Sequence, residues 1–235
     1  MCGRFRQSRS QKQLEQSFEA EGDIEVIPRF NIAPTQPVVT VRQEQGKPKR
    51  RLSNMRWGLI PSWAKDISGS GQTVNARSET VTSKLSFSDA VRYRRCLIPA
   101  DGFYEWKRTG KLRQPYMFEV GKGDLFAFAG LWDQWTNPKG EIIESCTILT
   151  TTPNQLLADV HDRMPVIVTP DKYDLWLDPE VEDFEAVREI LRPYDAAEMR
   201  HYPVSERVNS VQNEDPDCAA PITLDTPMQA QLFEQ

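Results

Sequence analysis

The chain has 235 residues and a mass of 27.0 kDa, enough for one domain to bury a core without disulfide or metal staples. Hydrophobic residues at 39% and charged residues at 27% exclude wholesale disorder, and no apolar run approaches the ~18 residues that a membrane span needs. The formal net charge of −5 argues as a total against a nucleic-acid partner, but it is unevenly placed: residues 1–170 hold 24 basic and 18 acidic side chains, residues 171–235 hold 5 and 16.

In chain order, residues 2–8 read as a short strand. Ser10 follows as a helix N-cap with Gln13 at the capping-box position, and Leu14 and Phe18 share a face, so a helix is predicted over 10–20, closed near Gly22. FNIAP (30–34) reads as a loop, and PVVTVRQ (37–43) and RRLSNMRWGLI (50–60) as the arms of a β-hairpin. DISGSGQ (66–72) is a polar loop leading into VNARSET (74–80). From 96 onward come four strand-like runs, RCLIPADGFYEWK, QPYMFEV, LFAFAGLWDQW and EIIESCTILTT, separated by the turn sequences RTGK, GKGD and NPKG. Connectors this short predict an antiparallel meander. PNQLLADV (153–160) and VEDFEAVREILR (181–192) read as helices around a strand-like RMPVIVT. The expected fold class is α+β: a single domain, residues 1–210, built on a largely antiparallel sheet, barrel- or sandwich-like, with peripheral helices, and an irregular C-terminal tail, 211–235.

Cys2, Cys96, Cys146 and Cys218 form no CxxC pair and lie far from histidine in sequence, so neither a metal site nor a redox dithiol is expected, no cofactor is implied, and a reducing, cytoplasmic setting is the default. The first twenty residues have no apolar centre, so no secretory leader is expected. A local basic patch matters more for phosphate than the total charge, and Arg4, Arg6, Arg77, Lys84, Arg92, Arg94 and Arg95 are candidates to build one. Cys2 is chemically distinctive if Met1 is trimmed, which a small second residue permits. Its α-amine then titrates near ~8 and its thiol near ~8.5. An aldehyde condenses with the amine to an imine, and the thiol of the same residue closes a five-membered thiazolidine.

Six motifs in order, MCGRF, RFNIAPTQ (29–36), MRWGLIPSW (55–63), VNARSET, RCLIPADGFYEW (95–106) and VHDRMPVIV (160–168), resemble the SOS-response-associated peptidase (SRAP) family, with a looser echo in PVSERVNS (203–210). The resemblance implies covalent capture of abasic sites in single-stranded DNA. It assigns Cys2 as the residue that forms the thiazolidine, Glu105 as the acid near the terminal amine, His161 as the proton carrier that helps open the closed sugar or reverse the link, and Asn75 as a hydrogen-bonding amide at the reaction centre. It also implies phosphate contacts from Arg4, Arg77 and Arg163, with Lys84 where the family often has arginine, and base stacking by Trp63. A lysine keeps the charge but loses the bidentate fork, and Trp63 is followed by Ala64 where some relatives place a second aromatic.

The expected partner is therefore single-stranded DNA containing abasic sites, bound by a monomer in the cytoplasm or on the nucleoid, with no membrane association and an unassigned replication or repair partner. Two other readings stay open at this point. One is a Cys–His peptidase with Cys2 as nucleophile and His161 as base, acting on other peptides or only on the bond to its own Met1; lyase chemistry through the imine belongs beside it. The other is a non-catalytic single-strand binder.

Overall fold

The computed structural model describes residues 2–68 and 73–224; Met1, part of the predicted 66–72 loop and the end of the predicted tail lie outside the described residues. The chain opens with β1 (Arg4–Gln7) and helix α1 (Gln11–Phe18), whose capping box is formed as its sequence predicts, Ser10 receiving the Gln13 backbone N–H while the Gln13 side chain meets the Ser10 backbone. Strands β2 (Ala20–Glu21), β3 (Arg29–Ile32), β4 (Pro37–Arg42), β5 (Arg50–Trp57) and β6 (Asn75–Arg77) lead to α2 (Ser88–Tyr93). Then come β7 (Arg95–Ala100), β8 (Gly102–Thr109), β9 (Leu112–Val120), β10 (Phe126–Thr136) and β11 (Ile142–Thr151). The C-terminal part holds α3 (Gln155–Ala158), β12 (Met164–Pro165), β13 (Ile167–Val168), α4 (Tyr173–Leu177), α5 (Phe184–Val187) and β14 (Met199–Pro203).

These strands make two sheets. The first is five-stranded, ordered β14-β9-β8-β1-β3. In the second, β11, β10, β7, β4 and β5 lie side by side and a parallel β5–β11 pairing closes them into a barrel. The fold is thus α+β, a five-strand barrel flanked by an antiparallel sheet with short peripheral helices. One core packs Phe5, Phe103 and Phe118 of the sheet against Trp57, Ile98 and Phe128 of the barrel. Another packs Leu14, Phe18, Val91 and Trp176 from the helices against Val41, Leu52 and Leu97. Among the described residues no helix is long and apolar enough to cross a membrane.

Three sequence expectations are corrected. FNIAP is not all loop, because Arg29–Ile32 forms β3 and pairs with β1, and the Glu214 carboxylate caps the backbone N–H groups of Phe30 and Asn31 at 2.7 and 2.8 Å. RCLIPADGFYEWK is not one strand, because the chain leaves the barrel at Asp101 and enters the sheet at Gly102. The meander fails for the same reason: β8 pairs with β9 and β10 with β11, but β10 returns to lie beside β7. The RTGK turn behaves as expected, with Gly110 at φ 60° in the first position of a two-residue loop, where that hairpin geometry favours glycine.

Asp101 explains the crossing. It is fully buried, and its carboxylate accepts from Arg6 Nε at 2.6 Å and from the Ser8 backbone and hydroxyl at 3.1 and 2.6 Å. Arg6 also reaches the buried Glu119 at 3.0 Å, which is held in turn by Arg200 and Tyr202. The network fastens β1 to the sheet switch. Replacing Asp101 with alanine leaves Arg6 only the Glu119 carboxylate and removes the acceptor of both Ser8 donors, so the urea midpoint of Asp101→Ala is expected to fall by an amount equal to about 1–3 kcal/mol with an unchanged slope; an unmoved midpoint would contradict the anchoring role.

Candidate functional site

Pairing of β1 with β8 runs antiparallel with Arg4 opposite Tyr104, so the chain start is carried along β8 toward Glu105. Cys2 is completely buried there, its Sγ lying 3.9 Å from the Arg4 carbonyl. Asn75 reaches it from the barrel side. Strand β6 pairs in parallel with β11, Asn75 beside Ile148, and the preceding Val74 carbonyl receives the Trp57 indole N–H at 2.8 Å and the Ile148 N–H at 3.1 Å. So fixed, Asn75 Nδ2 donates to the Cys2 carbonyl at 2.9 Å. Its Oδ1 is buried and has no partner among the described residues, a state that costs about 1–3 kcal/mol.

Glu105 sits on β8 with 3% exposure. Burial pushes its carboxyl up to about 7, and the negative charge of Asp162 adds to the push. Burial also holds the Cys2 thiol well above the ordinary cysteine range, with Glu105 reinforcing the effect. His161 follows α3, its backbone N–H bonded to the Leu157 carbonyl at 2.9 Å. Its Nδ1 accepts the Arg163 backbone N–H at 3.0 Å and lies 3.0 Å from Asp162 Oδ1; burial lowers its pKa. The Asn75 bond and the electrostatic reach of Glu105 bring Asn75, Glu105 and Cys2 together, and His161 enters through its neighbour Asp162, whose charge is felt at Glu105.

The basic residues divide. Arg77 and Lys84 are exposed, and Trp63 is 57% exposed on the loop after β5. Arg4 is half-buried and donates to Asn31 Oδ1 at 2.8 Å, the Val208 carbonyl at 2.6 Å and the Asn209 carbonyl at 3.2 Å, which leaves part of its fork uncommitted. Arg163 differs from the expectation of a free phosphate ligand. Its guanidinium is engaged with both Glu79 oxygens at 2.7 and 2.9 Å and with the Thr150 carbonyl at 2.6 Å. Arg6 and Arg95 are also withdrawn from any surface patch, Arg95 because it donates to five backbone carbonyls around α2 and α4, those of Val91, Arg92, Trp176, Asp178 and Val181. His201 stacks on Phe118 at 5.3 Å, away from the cluster in role.

Residues that sequence reasoning did not single out also border the site. Asn209 joins Arg4 to the Trp106 indole, whose N–H donates to Asn209 Oδ1 at 2.7 Å. Glu79 and Asn209 fall inside quoted motifs, VNARSET and PVSERVNS; a search for acidic or amide partners of the motif arginines would have raised both.

A protein-family model described as SOS response associated peptidase matches residues 1–211. The abasic site processing protein YoqW of Bacillus subtilis is 42% identical over 221 residues, covering 92% of this chain and 98% of that one. The abasic site processing protein HMCES of Gallus gallus is 37% identical over 212 residues, covering 80% of this chain and 62% of that one. Among solved structures, a protein from Bordetella bronchiseptica aligns with a TM-score of 0.76 at 29% identity over 87% of this chain and all (100%) of that chain. One from Bacteroides thetaiotaomicron aligns at 0.86 and 23% identity over 94% and 100%, a likeness of fold.

The raised carboxyl gives a stability test. A folded pKa of about 7 against about 4.3 unfolded means that the fold prefers protonated Glu105; this contribution is complete below the unfolded value and disappears as pH rises through about 7. Urea titrations of the protein and of Glu105→Gln should therefore show the native residue losing ground to glutamine as pH climbs from about 4.3 to about 7 and no further above it. A pH-independent difference would place the carboxyl in water.

Proposed function

This chain belongs to the SOS response associated peptidase family, and from that membership and the geometry around Cys2 we propose that it processes abasic sites by covalent capture in single-stranded DNA. The observation that carries the reading is the cluster itself: a cysteine at the second position, buried, held through its own carbonyl by Asn75 and set beside a carboxyl that titrates near neutrality.

Removal of Met1 turns the Cys2 nitrogen into a primary amine. The amine attacks the aldehyde of the ring-opened sugar, a C–N bond forms, and one water leaves as the imine appears. The thiol then adds across the C=N bond, its sulfur bonding carbon and its proton ending on nitrogen, with no change of oxidation state. Glu105 is suited to take a proton from the ammonium and return it to the departing water, because an acid–base group works best with a pKa near the working pH. The unpartnered Oδ1 of Asn75 supplies an acceptor for the amine or a sugar hydroxyl. His161, neutral in its half-buried setting, moves the proton that opens the sugar or reverses the link.

Phosphates flanking the lesion are held by Arg77, by the free part of the Arg4 fork and by Lys84, and Trp63 stacks on a neighbouring base, a contact worth ~1–3 kcal/mol. Arg163 serves this groove by holding its wall. The same imine permits β-elimination, so strand scission is expected as a side reaction. A general peptidase is less well supported: a thiol pushed well above its ordinary pKa is a poor thiolate nucleophile, and hydrolysis limited to the Met1–Cys2 bond is the form of that activity compatible with the site.

Mixing the Met1-free protein with a single-stranded oligonucleotide bearing one abasic site is expected to give a denaturant-resistant band, absent with an intact strand and absent for Cys2→Ala. Cys2→Ser and Cys2→Ala both keep the amine once Met1 is removed, so each should give a weak adduct only where borohydride reduces the imine. Equal capture by Cys2→Ala would overturn the reading. Initial binding should fall with rising salt at a log–log slope of about −0.7 per phosphate neutralised, while a preformed link persists; salt-insensitive capture would remove the basic groove from the account.

A further inference from the structure

We propose that Glu79 is a positioning residue for His161: its ion pair with Arg163 holds the Arg163 backbone N–H against His161 Nδ1 and thereby keeps the imidazole proton on Nε2. The consequence for capture rests on the function proposed above, whereas the tautomer does not.

The turn that bears His161 is fixed on both sides. Upstream, Val160 and His161 donate their backbone N–H groups to the Leu157 carbonyl at 2.8 and 2.9 Å, closing the end of α3. Downstream, the Arg163 guanidinium reaches across to the segment after β6, where Glu79 takes it with both oxygens, and to Thr150 of β11. Thr150 stands opposite Arg77 of β6 and Pro165 of β12, so one arginine ties the histidine turn to the strand that carries Asn75 and Arg77. The Arg163 side chain is 11% exposed and Glu79 46%. A guanidinium that buried, deprived of its carboxylate, keeps only the Thr150 oxygens and is expected to leave its position, taking the backbone of the turn with it.

What depends on that backbone is the ring. A neutral imidazole has one acceptor nitrogen, and the Arg163 N–H at 3.0 Å fills it at Nδ1. Asp162 Oδ1, also 3.0 Å from Nδ1, asks for the opposite arrangement, a proton on that nitrogen. The Asp162 side chain is 86% exposed, so water competes for its oxygens and its pull is weak. The balance therefore turns on how firmly Arg163 is held, and Glu79 sets that. Its carboxylate is kept ionised by the Arg163 hydrogen bond, with Arg77 adding a favourable charge.

The chain has two histidines, which makes the test clean. In protein labelled with 15N histidine and free of DNA, long-range proton–nitrogen correlation distinguishes the two tautomers at His161, while His201, stacked on Phe118, reports whether the fold is intact. Unaltered protein should show His161 protonated on Nε2. Glu79→Gln should show mixed tautomers at His161 with His201 unmoved, and Glu79→Asp, which keeps the charge, should restore most of the original signature. An unchanged His161 pattern in Glu79→Gln overturns the proposal; if His201 shifts in that variant, Glu79→Asp becomes the deciding one, with the Nε2 signature largely kept expected and tautomers mixed as far as in Glu79→Gln contradicting it. In abasic-site capture, Glu79→Gln should slow the covalent step by roughly ten- to hundredfold, far more than it alters affinity for an intact single strand; a loss of affinity of equal size would assign Glu79 to the phosphate groove instead. Failure of the unaltered protein to capture abasic DNA would sink the proposed function and leave the tautomer result standing.

Discussion

Everything at the site depends on where the first strand is held. β1 is fixed at one end by Arg6, held between the buried Asp101 and Glu119, and at the other by the Asn75 amide on the Cys2 carbonyl. Between them Phe5 is wedged edge-on against Trp57 and Phe128 at 5.1 and 5.6 Å. Buried charge pairs add little net stability once their desolvation is counted, but losing one member is costly. Their effect here is on register: sliding β1 by one residue would break the Arg6 contacts, turn Phe5 out of the core and move position 2 away from Asn75 and Glu105.

That placement sets the order of events. Because both groups are buried, the charged forms of Glu105 and of the Cys2 thiol are disfavoured. A carboxyl near neutrality can give and take protons at each stage, and a thiol that stays protonated waits until an electrophilic C=N lies beside it. In the proposed capture, nitrogen therefore reacts first and sulfur second. The open acceptor of Asn75 fits the same sequence, since its stabilisation is realised only when a substrate or amine N–H or O–H arrives.

Much of the local structure was legible because it is local. The Ser10–Gln13 capping box, the β4–β5 hairpin and the RTGK turn each rest on residues a few positions apart. The switch at Asp101 was hidden because apolar residues flank it on both sides, and only the distant Arg6 and Ser8 show that the aspartate is an interior anchor rather than a loop residue. Strands of two residues such as β2, β12 and β13 exist through their partners, not through propensity. Arginines were the hardest to place. Their motifs say that they matter, but whether the fork faces phosphate or a carboxylate depends on contacts such as Arg163 with Glu79, 84 positions apart.

The most direct test of the central claim is peptide mass mapping of the adduct formed by mature protein and an abasic oligonucleotide. The account requires a chain beginning at Cys2 and a single modification on that residue, equal to the sugar remnant less one water, with both its nitrogen and its sulfur blocked to alkylation. An adduct on any lysine, or on Cys2 with sulfur still open to alkylation, would contradict it.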